Sequence, residues 1–487
     1  MIGQSLTTAL LLPALLLTGC TVGPRYAKPS TPTAPEYKEV PPNWKTAQPN
    51  DQIARGKWWE IFGDSQLNTL EEQINVSNQN LKAAQAQYAQ ARALVQFNRA
   101  AYYPTVTAGA SGLREHVSQK RPLIRSTAQI STNASDIQIP FDVSYEPDVF
   151  GRVRRTVEAA RSNAQASAAD LESVNLSLHA ELAIDYFQVH TLDAEEQLLN
   201  STVGAFEKAL DLTRNRYQGG VSSAVDVAQA QTQLETTRAQ AIDVQVQRAQ
   251  NEHAIAVLTG QPPPTFSIPA SAWNTPPPAI PPGLPSDLLE RRPDVAAAER
   301  RVASANAQIG VARAAYFPAI ALTGSGGFES TAISTLIQGP SGFLTGGASA
   351  VVTAFDVGRR RAASQQARAA YNQATANYRQ SVLNAFQEVE DNLAALRILE
   401  EESKTQEAAV AAAEHSLELS TNRYKGGVVS YLEVITAQSI ALSDERVAVD
   451  ILRRRMTASV SLIKALGGGW STANLPSKLV SQSANGQ

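Results

Sequence analysis

The sequence predicts a mainly α-helical chain with a small β part, written twice, and three observations predict it. Short motifs recur at matching places in the two halves. Each half holds two long stretches nearly free of glycine and proline. Between those stretches the apolar spacing changes from a helical period to a period of two.

The recurrence comes first because it organises everything else. Ala101-Tyr102-Tyr103-Pro104 returns as Ala315-Tyr316-Phe317-Pro318, and Gly151-Arg152 returns as Gly358-Arg359. Asn215-Arg216-Tyr217-Gln218-Gly219-Gly220 returns as Asn422-Arg423-Tyr424-Lys425-Gly426-Gly427. The interval from Gly151 to Gly219 equals that from Gly358 to Gly426, whereas between the proline and the Gly-Arg pair the first copy is seven residues longer. An insertion confined to one connection belongs in a loop tip, within residues 113–135.

The helices follow from punctuation. Residues 359–425 contain neither glycine nor proline and 152–218 contain only Gly204, so each reads as one helix about 100 Å long. Residues 221–259 and 428–466, again free of both and equal in length, read as a second, shorter class. Val382, Phe386, Val389, Leu393 and Leu396 recur by four and three, as do Leu171, Val174, Leu178, Leu182, Tyr186 and Val189 in the first copy. Much of the remainder is small and polar, as in Ala83-Ala84-Gln85-Ala86-Gln87, which allows close helix approach and a second, wet face. A rod-like coiled coil explains the heptads but not the segments between the helices.

In those segments Ile137, Ile139, Phe141, Val143 and Tyr145 alternate with Asp136, Gln138, Pro140, Asp142, Ser144 and Glu146, the pattern of a strand with one greasy and one polar face. Ile320 and Leu322, then Val351, Thr353, Phe355 and Val357 opposite Val352, Ala354 and Asp356, repeat it more weakly. Each repeat therefore offers two strands joined by a polar or Gly/Ser-rich loop. A lipid-facing barrel wall and the edge of a soluble sandwich fit this pattern equally. Pro140 is the awkward residue, since it removes a ladder donor. Four strands cannot close a barrel, whose smallest bacterial examples have about eight, so a barrel needs several chains. Residues 261–286 are proline-rich and read as an extended linker between the copies.

Composition excludes several functions. The 42 basic and 45 acidic residues, with no dense Lys/Arg run, lack the footprint of a nucleic-acid binder. Past the N-terminal segment no apolar run reaches the roughly 18 residues of a spanning helix. No phosphate-binding loop, dinucleotide fingerprint or nucleophile elbow occurs. His116, His179, His190, His253 and His415 are scattered without ligand spacing and read as packed or solvated. The acids Glu195-Glu196 and Glu400-Glu401-Glu402 fall on wet helix faces. We therefore assign no catalytic residue, no cofactor and no metal site. Cys20, the single cysteine, follows the apolar run of residues 9–17 in Leu17-Thr18-Gly19-Cys20, which reads as a bacterial lipobox. Residues 1–19 are then a signal peptide and the mature chain begins at a lipidated Cys20. Thr21 stands where inner-membrane lipoproteins carry a retaining Asp, which directs the chain to the outer membrane.

Larger signatures now accumulate: Cys20-Thr21-Val22-Gly23-Pro24-Arg25-Tyr26, Trp58-Trp59 with Phe62-Gly63-Asp64, Leu288-Leu289-Glu290-Arg291-Arg292-Pro293-Asp294-Val295, and Ile309-Gly310-Val311-Ala312-Arg313 running into Tyr316-Phe317-Pro318. Together they resemble the outer-membrane factor family, the exit ducts of tripartite efflux and secretion systems, in its lipoprotein branch serving resistance–nodulation–division pumps. The resemblance covers nearly the whole mature chain. One departure is Tyr145-Glu146-Pro147-Asp148-Val149-Phe150-Gly151-Arg152, where the family often has Trp-x-Leu-Asp-Leu-Trp-Gly-Arg.

The resemblance implies a homotrimer whose strands share one outer-membrane β-barrel, continued through the periplasm by a helical α-barrel. Its partners are a periplasmic adaptor, an inner-membrane resistance–nodulation–division pump and outer-membrane lipid. The chain then divides into a signal peptide (1–19), a lipidated N-terminal segment (20–62), repeat 1 (63–260), the linker (261–286), repeat 2 (287–467) and a tail (468–487). Arg114, Lys120, Arg121 and Arg125 make the longer outer loop basic, as suits anionic lipopolysaccharide. The function implied is efflux of small toxic molecules, with a type I protein-secretion duct or a structural envelope lipoprotein as alternatives.

The glycine pairs Gly219-Gly220 and Gly426-Gly427 end helices in the left-handed conformation. In the resemblance they become periplasmic tips, with Arg216, Tyr217, Arg423 and Tyr424 as candidates for adaptor contact. For the closed entrance it implies a latch between Asp226 and Tyr424; the plainer reading of Asp226 is a surface acid at a helix start, favoured there by the helix dipole. Thr436 occupies the place of an aperture Asp, and Val429 that of a latch Arg found in some members. Glu433, one turn before Thr436, is the candidate for a ring of carboxylates, one per protomer.

Overall fold

The computed structural model describes residues 21–31, 36–39, 56–116, 133–273, 275–280 and 288–476. The expected signal peptide, Cys20, the loop residues Lys120, Arg121 and Arg125, the end of the linker and most of the tail lie outside them. In chain order the elements are α1 (Ser65–Ser77), α2 (Gln79–Ala100), β1 (Thr105–Ala108), β2 (Ser111–His116), β3 (Asn133–Tyr145), α3 (Arg152–Gln218) and α4 (Ala224–Leu258). There follow α5 (Leu288–Arg291), α6 (Pro293–Ala314), β4 (Ala319–Ser330), β5 (Gly342–Val351), α7 (Arg359–Lys425) and α8 (Tyr431–Ala465). No helix among the described residues is long and apolar enough to cross a membrane.

The long helices α3 and α7 each run 67 residues, and α4 and α8 each run 35. Both long helices start the same way. Gly151 and Gly358 adopt left-handed φ of 81° and 85°, and an acid just before accepts the first free amides. Asp148 accepts from Val153 N at 2.9 Å and Arg154 N at 2.8 Å, and Asp356 from Gly358 N and Arg360 N at 3.1 Å each. This corrects the second-repeat strand. Thr353, Phe355 and Val357 lie beyond β5, because Asp356 is drawn into the cap and Val357 takes a φ of 53°. The strand occupies Gly342–Val351 instead, a run of glycine, alanine and serine in which periodicity is faint.

The sheet is antiparallel in the order β1–β3–β4–β5, with β2 also on β3. Thr105 pairs Ser144 and Ser111 pairs Gln138, so β1 and β2 keep one register and form one strand interrupted opposite Pro140. Pro140 explains the interruption: its carbonyl accepts from Gly109 N at 3.0 Å, but it has no N–H to return. On its other side Pro140 faces Gly327, where a Cβ would lie 2.1 Å from the Ile139 carbonyl oxygen. The expected loop shrinks accordingly, since residues up to His116 and from Asn133 belong to strands.

The register puts Val106 beside Val143, Tyr145 beside Leu322, and both Phe141 and Leu344 beside Gly326, all on one face. Asp142, Ser144, Thr323, Ser325 and Thr345 share the other. Nothing among the described residues covers the apolar face: Leu344 is 87% exposed, Val106 63% and Phe141 52%. A sandwich edge buries its apolar face against a second layer, and this sheet has none among the described residues.

The main core lies midway along the helices, where α1, α3, α6, α7 and α8 meet around Trp58, Leu67, Tyr186, Phe187, Val389 and Val460. The heptad residues Val382, Val389, Leu393, Leu178, Leu182, Tyr186 and Val189 are buried there. Polar ties hold the irregular segments to this belt. Asn78 caps α2 at Leu81 N and donates to Leu258 O at 2.8 Å, joining α1 and α2 to the end of α4. Arg248 joins Asp193 at 2.6 Å and Ile268 O at 2.8 Å, while Ser271 N donates to Asp193, so the linker is laid along α3 and α4.

Glu71 is fully buried, 2.6 Å from His179 Nδ1, with Trp59 stacked on the imidazole at 4.4 Å. Burial raises the Glu71 carboxyl well above its usual range and lowers His179 to about 4, so the neutral acid donates to a neutral ring. Below the ordinary carboxyl range the acid is protonated both folded and unfolded. As pH rises above that range, only the folded state must retain the proton or bury a charge, so this group destabilises increasingly with pH. Glu71→Gln keeps a donor to Nδ1 without that penalty. Its Tm in detergent should exceed wild type at about pH 8 and converge with it near pH 4; a lower Tm at the higher pH would show a charged pair.

Candidate functional site: the paired helix tips

At the end farthest from the sheet each helix pair turns through Gly-Gly. Gly219 N donates to Asn215 O at 3.0 Å and Gly220 N to Tyr217 O at 2.9 Å; Gly426 N donates to Asn422 O and Gly427 N to Tyr424 O, both at 3.0 Å. Gly220 and Gly427 carry φ of 74° and 75°, which a side chain would strain. The two backbones are alike, and their side chains are not.

Tyr424 is 4% exposed and its counterpart Tyr217 is 49% exposed. Tyr424 packs on Tyr431 at 5.3 Å within a cluster of Phe206, Leu210, Leu234 and Val434, so α3, α4, α7 and α8 share one apolar tip core. Its hydroxyl donates to Thr213 Oγ1 at 3.3 Å. Arg216 lies over the Tyr424 ring at 4.7 Å and donates to Tyr424 O at 2.9 Å and Lys425 O at 3.2 Å. Arg423, at the matching place in the second tip, instead pairs with Glu433 at 2.6 Å within its own helix pair.

Asp226 is the third residue of α4 and half of a capping box: Ser223 Oγ accepts from Asp226 N at 3.1 Å, and Asp226 Oδ2 accepts from Ser223 N at 2.9 Å. Ser222 Oγ also donates to it, at 2.8 Å. Burial pushes its pKa up, but the hydrogen bonds from the Ser223 backbone and the Ser222 and Ser223 hydroxyls outweigh that and hold it below the usual range.

The expected Asp226–Tyr424 contact is therefore not made within the protomer. The carboxylate is consumed by its own helix start, and the phenol turns into the tip core toward Thr213. Arg216 is likewise engaged internally rather than free for docking. Thr436 is exposed and bonds back to Leu432 O at 2.9 Å, and Val429 packs against the tip core. Sequence reading missed Thr213 and Tyr431, which carry no local signature. It also missed the cap, although Ser223-x-x-Asp226 announces one. Several exposed side chains around the turns are apolar: Val428 at 71%, Val221 at 69%, Val225 at 63% and Leu432 at 55%.

Comparison with known proteins places this architecture. Residues 70–261 and 284–468 match the sequence model of the family described as outer membrane efflux protein. The chain belongs to the outer membrane efflux protein family. The probable efflux pump outer membrane protein TtgC of Pseudomonas putida is 32% identical over 95% of each chain. Outer membrane protein OprJ of Pseudomonas aeruginosa is 33% identical over 94% of this chain and 95% of its own. Among solved structures, the outer-membrane channel OprN superposes with a TM-score of 0.85 at 30% identity, over 93% of this chain and all of that one. The CmeC outer membrane channel of Campylobacter jejuni gives 0.87 at 25% identity, over 93% of this chain and 96% of its own. As an outer membrane efflux protein, the chain resides in the outer membrane and extends into the periplasm. The family is one of transport channels.

Asp226 and Tyr424 share no hydrogen-bond partner, so their contributions should be independent. Asp226→Ala should loosen the start of α4 by roughly 1 kcal/mol, and Tyr424→Phe should cost less, given its long hydroxyl contact. Hydrogen exchange of the tip amides should show the two effects adding in the double variant; a double variant no worse than either single one would restore the direct pair.

Proposed function

We propose that this protein is the homotrimeric exit duct of a tripartite efflux system, passing small toxic molecules from an inner-membrane resistance–nodulation–division pump and a periplasmic adaptor to the exterior. The observation that carries the reading is the one-faced sheet. Its apolar side is uncovered, its outer strands leave unpaired edges, and the interrupted β1–β2 counts as one strand, giving four per chain among the described residues. Three such sheets joined edge to edge make a closed wall of about twelve strands, within the range of outer-membrane barrels. Lipid then meets Phe141 and Leu344, and water meets Asp142 and Ser144.

The two halves, 63–260 and 287–467, are read as duplicated units joined by the 261–286 linker, with Tyr37, Trp58 and Trp59 of the N-terminal segment packed into the belt. Support comes from the equal helix lengths and the matched caps and turns. Cys20 carries the anchor. Its neighbour Thr21 packs against Gly151, and Val22 N donates to Phe150 O at 3.2 Å, at the junction of strand and long helix where the membrane surface would lie. The periplasmic entrance is gated by the tips, with Asp226, Tyr424, Glu433 and Thr436 near it. Tyr217, Val221, Val428 and the glycine turns form the adaptor-docking end, whose exposed valines suit an apolar partner surface.

Two measurements test this reading. Labelled palmitate should enter the wild type and not Cys20→Ser; equal labelling of both would remove the anchor. Purified protein should run as a trimer after cross-linking and pass ions across a planar bilayer, and an insulating monomer would remove the duct.

A further inference from the structure

Resting on the duct reading, we propose that Arg216 is the pin that holds the second helix pair against the first at the periplasmic tip, and that the entrance widens when this pin lets go. Each pair has its own local device: the Ser223–Asp226 capping box at the start of α4, and the Arg423–Glu433 ion pair between α7 and α8. Neither device crosses between the pairs. Arg216 does cross. From the last turn of α3 it donates to the carbonyls of Tyr424 and Lys425, the two final residues of α7, and lays its guanidinium on the Tyr424 ring.

Two features make this contact stronger than its two hydrogen bonds suggest. The end of a helix carries partial negative charge, so a cation there is favoured. The ring face adds a cation–π attraction that grows with desolvation. Arg216 Nε is buried without a partner and, among the described residues, no carboxylate pairs with the guanidinium. The charge is thus held by α7 alone, and it must be released as a unit if α7 moves away. The other cross-pair polar links at the tip are weak, namely Tyr424 to Thr213 at 3.3 Å and Gln233 to Ser439 at 3.4 Å.

The pin is also one-sided. Arg423 occupies the same place in the repeated motif and does not reach the end of α3, and among the described residues no side chain donates to the Tyr217 or Gln218 carbonyl. Duplication supplied two arginines, and the packing of Tyr424 inward made only one of them a tether. The second pair, α7 and α8, is therefore the one held in place by the first.

Single-channel recording of the full-length protein in planar bilayers tests this without any adaptor. Arg216→Ala should raise the open fraction about tenfold, the change expected from losing a charge-assisted contact. Arg216→Lys should fall between the two, because an ammonium keeps the charge near the helix end but cannot lie flat on the ring. Both variants should retain wild-type helicity, which separates a released tether from a damaged fold. Tyr424→Ala, which empties the centre of the tip core, serves as the opened reference. Wild-type gating in Arg216→Ala while Tyr424→Ala conducts more would overturn the pin and leave the duct reading intact. Silence from every protein, Tyr424→Ala included, would overturn the duct reading and the pin with it.

Discussion

Every backbone N–H and C=O placed in hydrocarbon must find a partner inside the protein, and the rest of this molecule is arranged around that demand. A sheet of this width meets it only in its interior, leaving β5 and the β1–β2 strand with open edges. Within the sheet the demand is met even around Pro140, where the missing donor is tolerated by a local interruption and by Gly327, whose lack of a Cβ lets it lie against the Ile139 carbonyl. The apolar face makes the same point from the side-chain direction, since it runs across the sheet from Val106 to Leu344 with nothing described above it. Open edges and an uncovered apolar face are both surfaces at which a sheet can associate.

Away from the membrane the constraint changes to one of length. Helices of 67 residues have no single core to fold around, so burial is concentrated mainly in two places, the belt and the tip. The belt gathers the N-terminal segment, the linker and the central turns of the long helices, and it tolerates a buried acid because His179 accepts a hydrogen bond from the neutral Glu71 carboxyl. The tip has a smaller core, and polar contacts there decide the register between helix pairs. A region closed by few apolar contacts and several hydrogen bonds is suited to opening without unfolding the remainder.

The duplicated Asn-Arg-Tyr motif shows how equal sequences acquire unequal roles. Both copies make the same glycine turn, as backbone conformation is dictated locally. The side chains then meet different neighbours. Tyr424 finds Tyr431 and Thr213 and turns inward, and Arg216 follows onto its ring, while Tyr217 is left half-exposed and Arg423 closes its own pair.

Local sequence was enough for the long helices, their glycine ends and the β3 strand, because these depend on short-range periodicity and on residues with special backbone freedom. The same reasoning left β5 obscure, since Gly346, Gly347, Ala348, Ser349 and Ala350 give no alternation to read. Folding in three dimensions settled what remained: Phe141, Val143, Leu322 and Leu344 share one face, Asp356 caps a helix rather than extending a strand, and Asp226 serves its own helix start instead of Tyr424. Those outcomes are competitions among several possible partners, most of them distant in the chain, and a hydrogen bond goes to whichever donor the packing brings within reach.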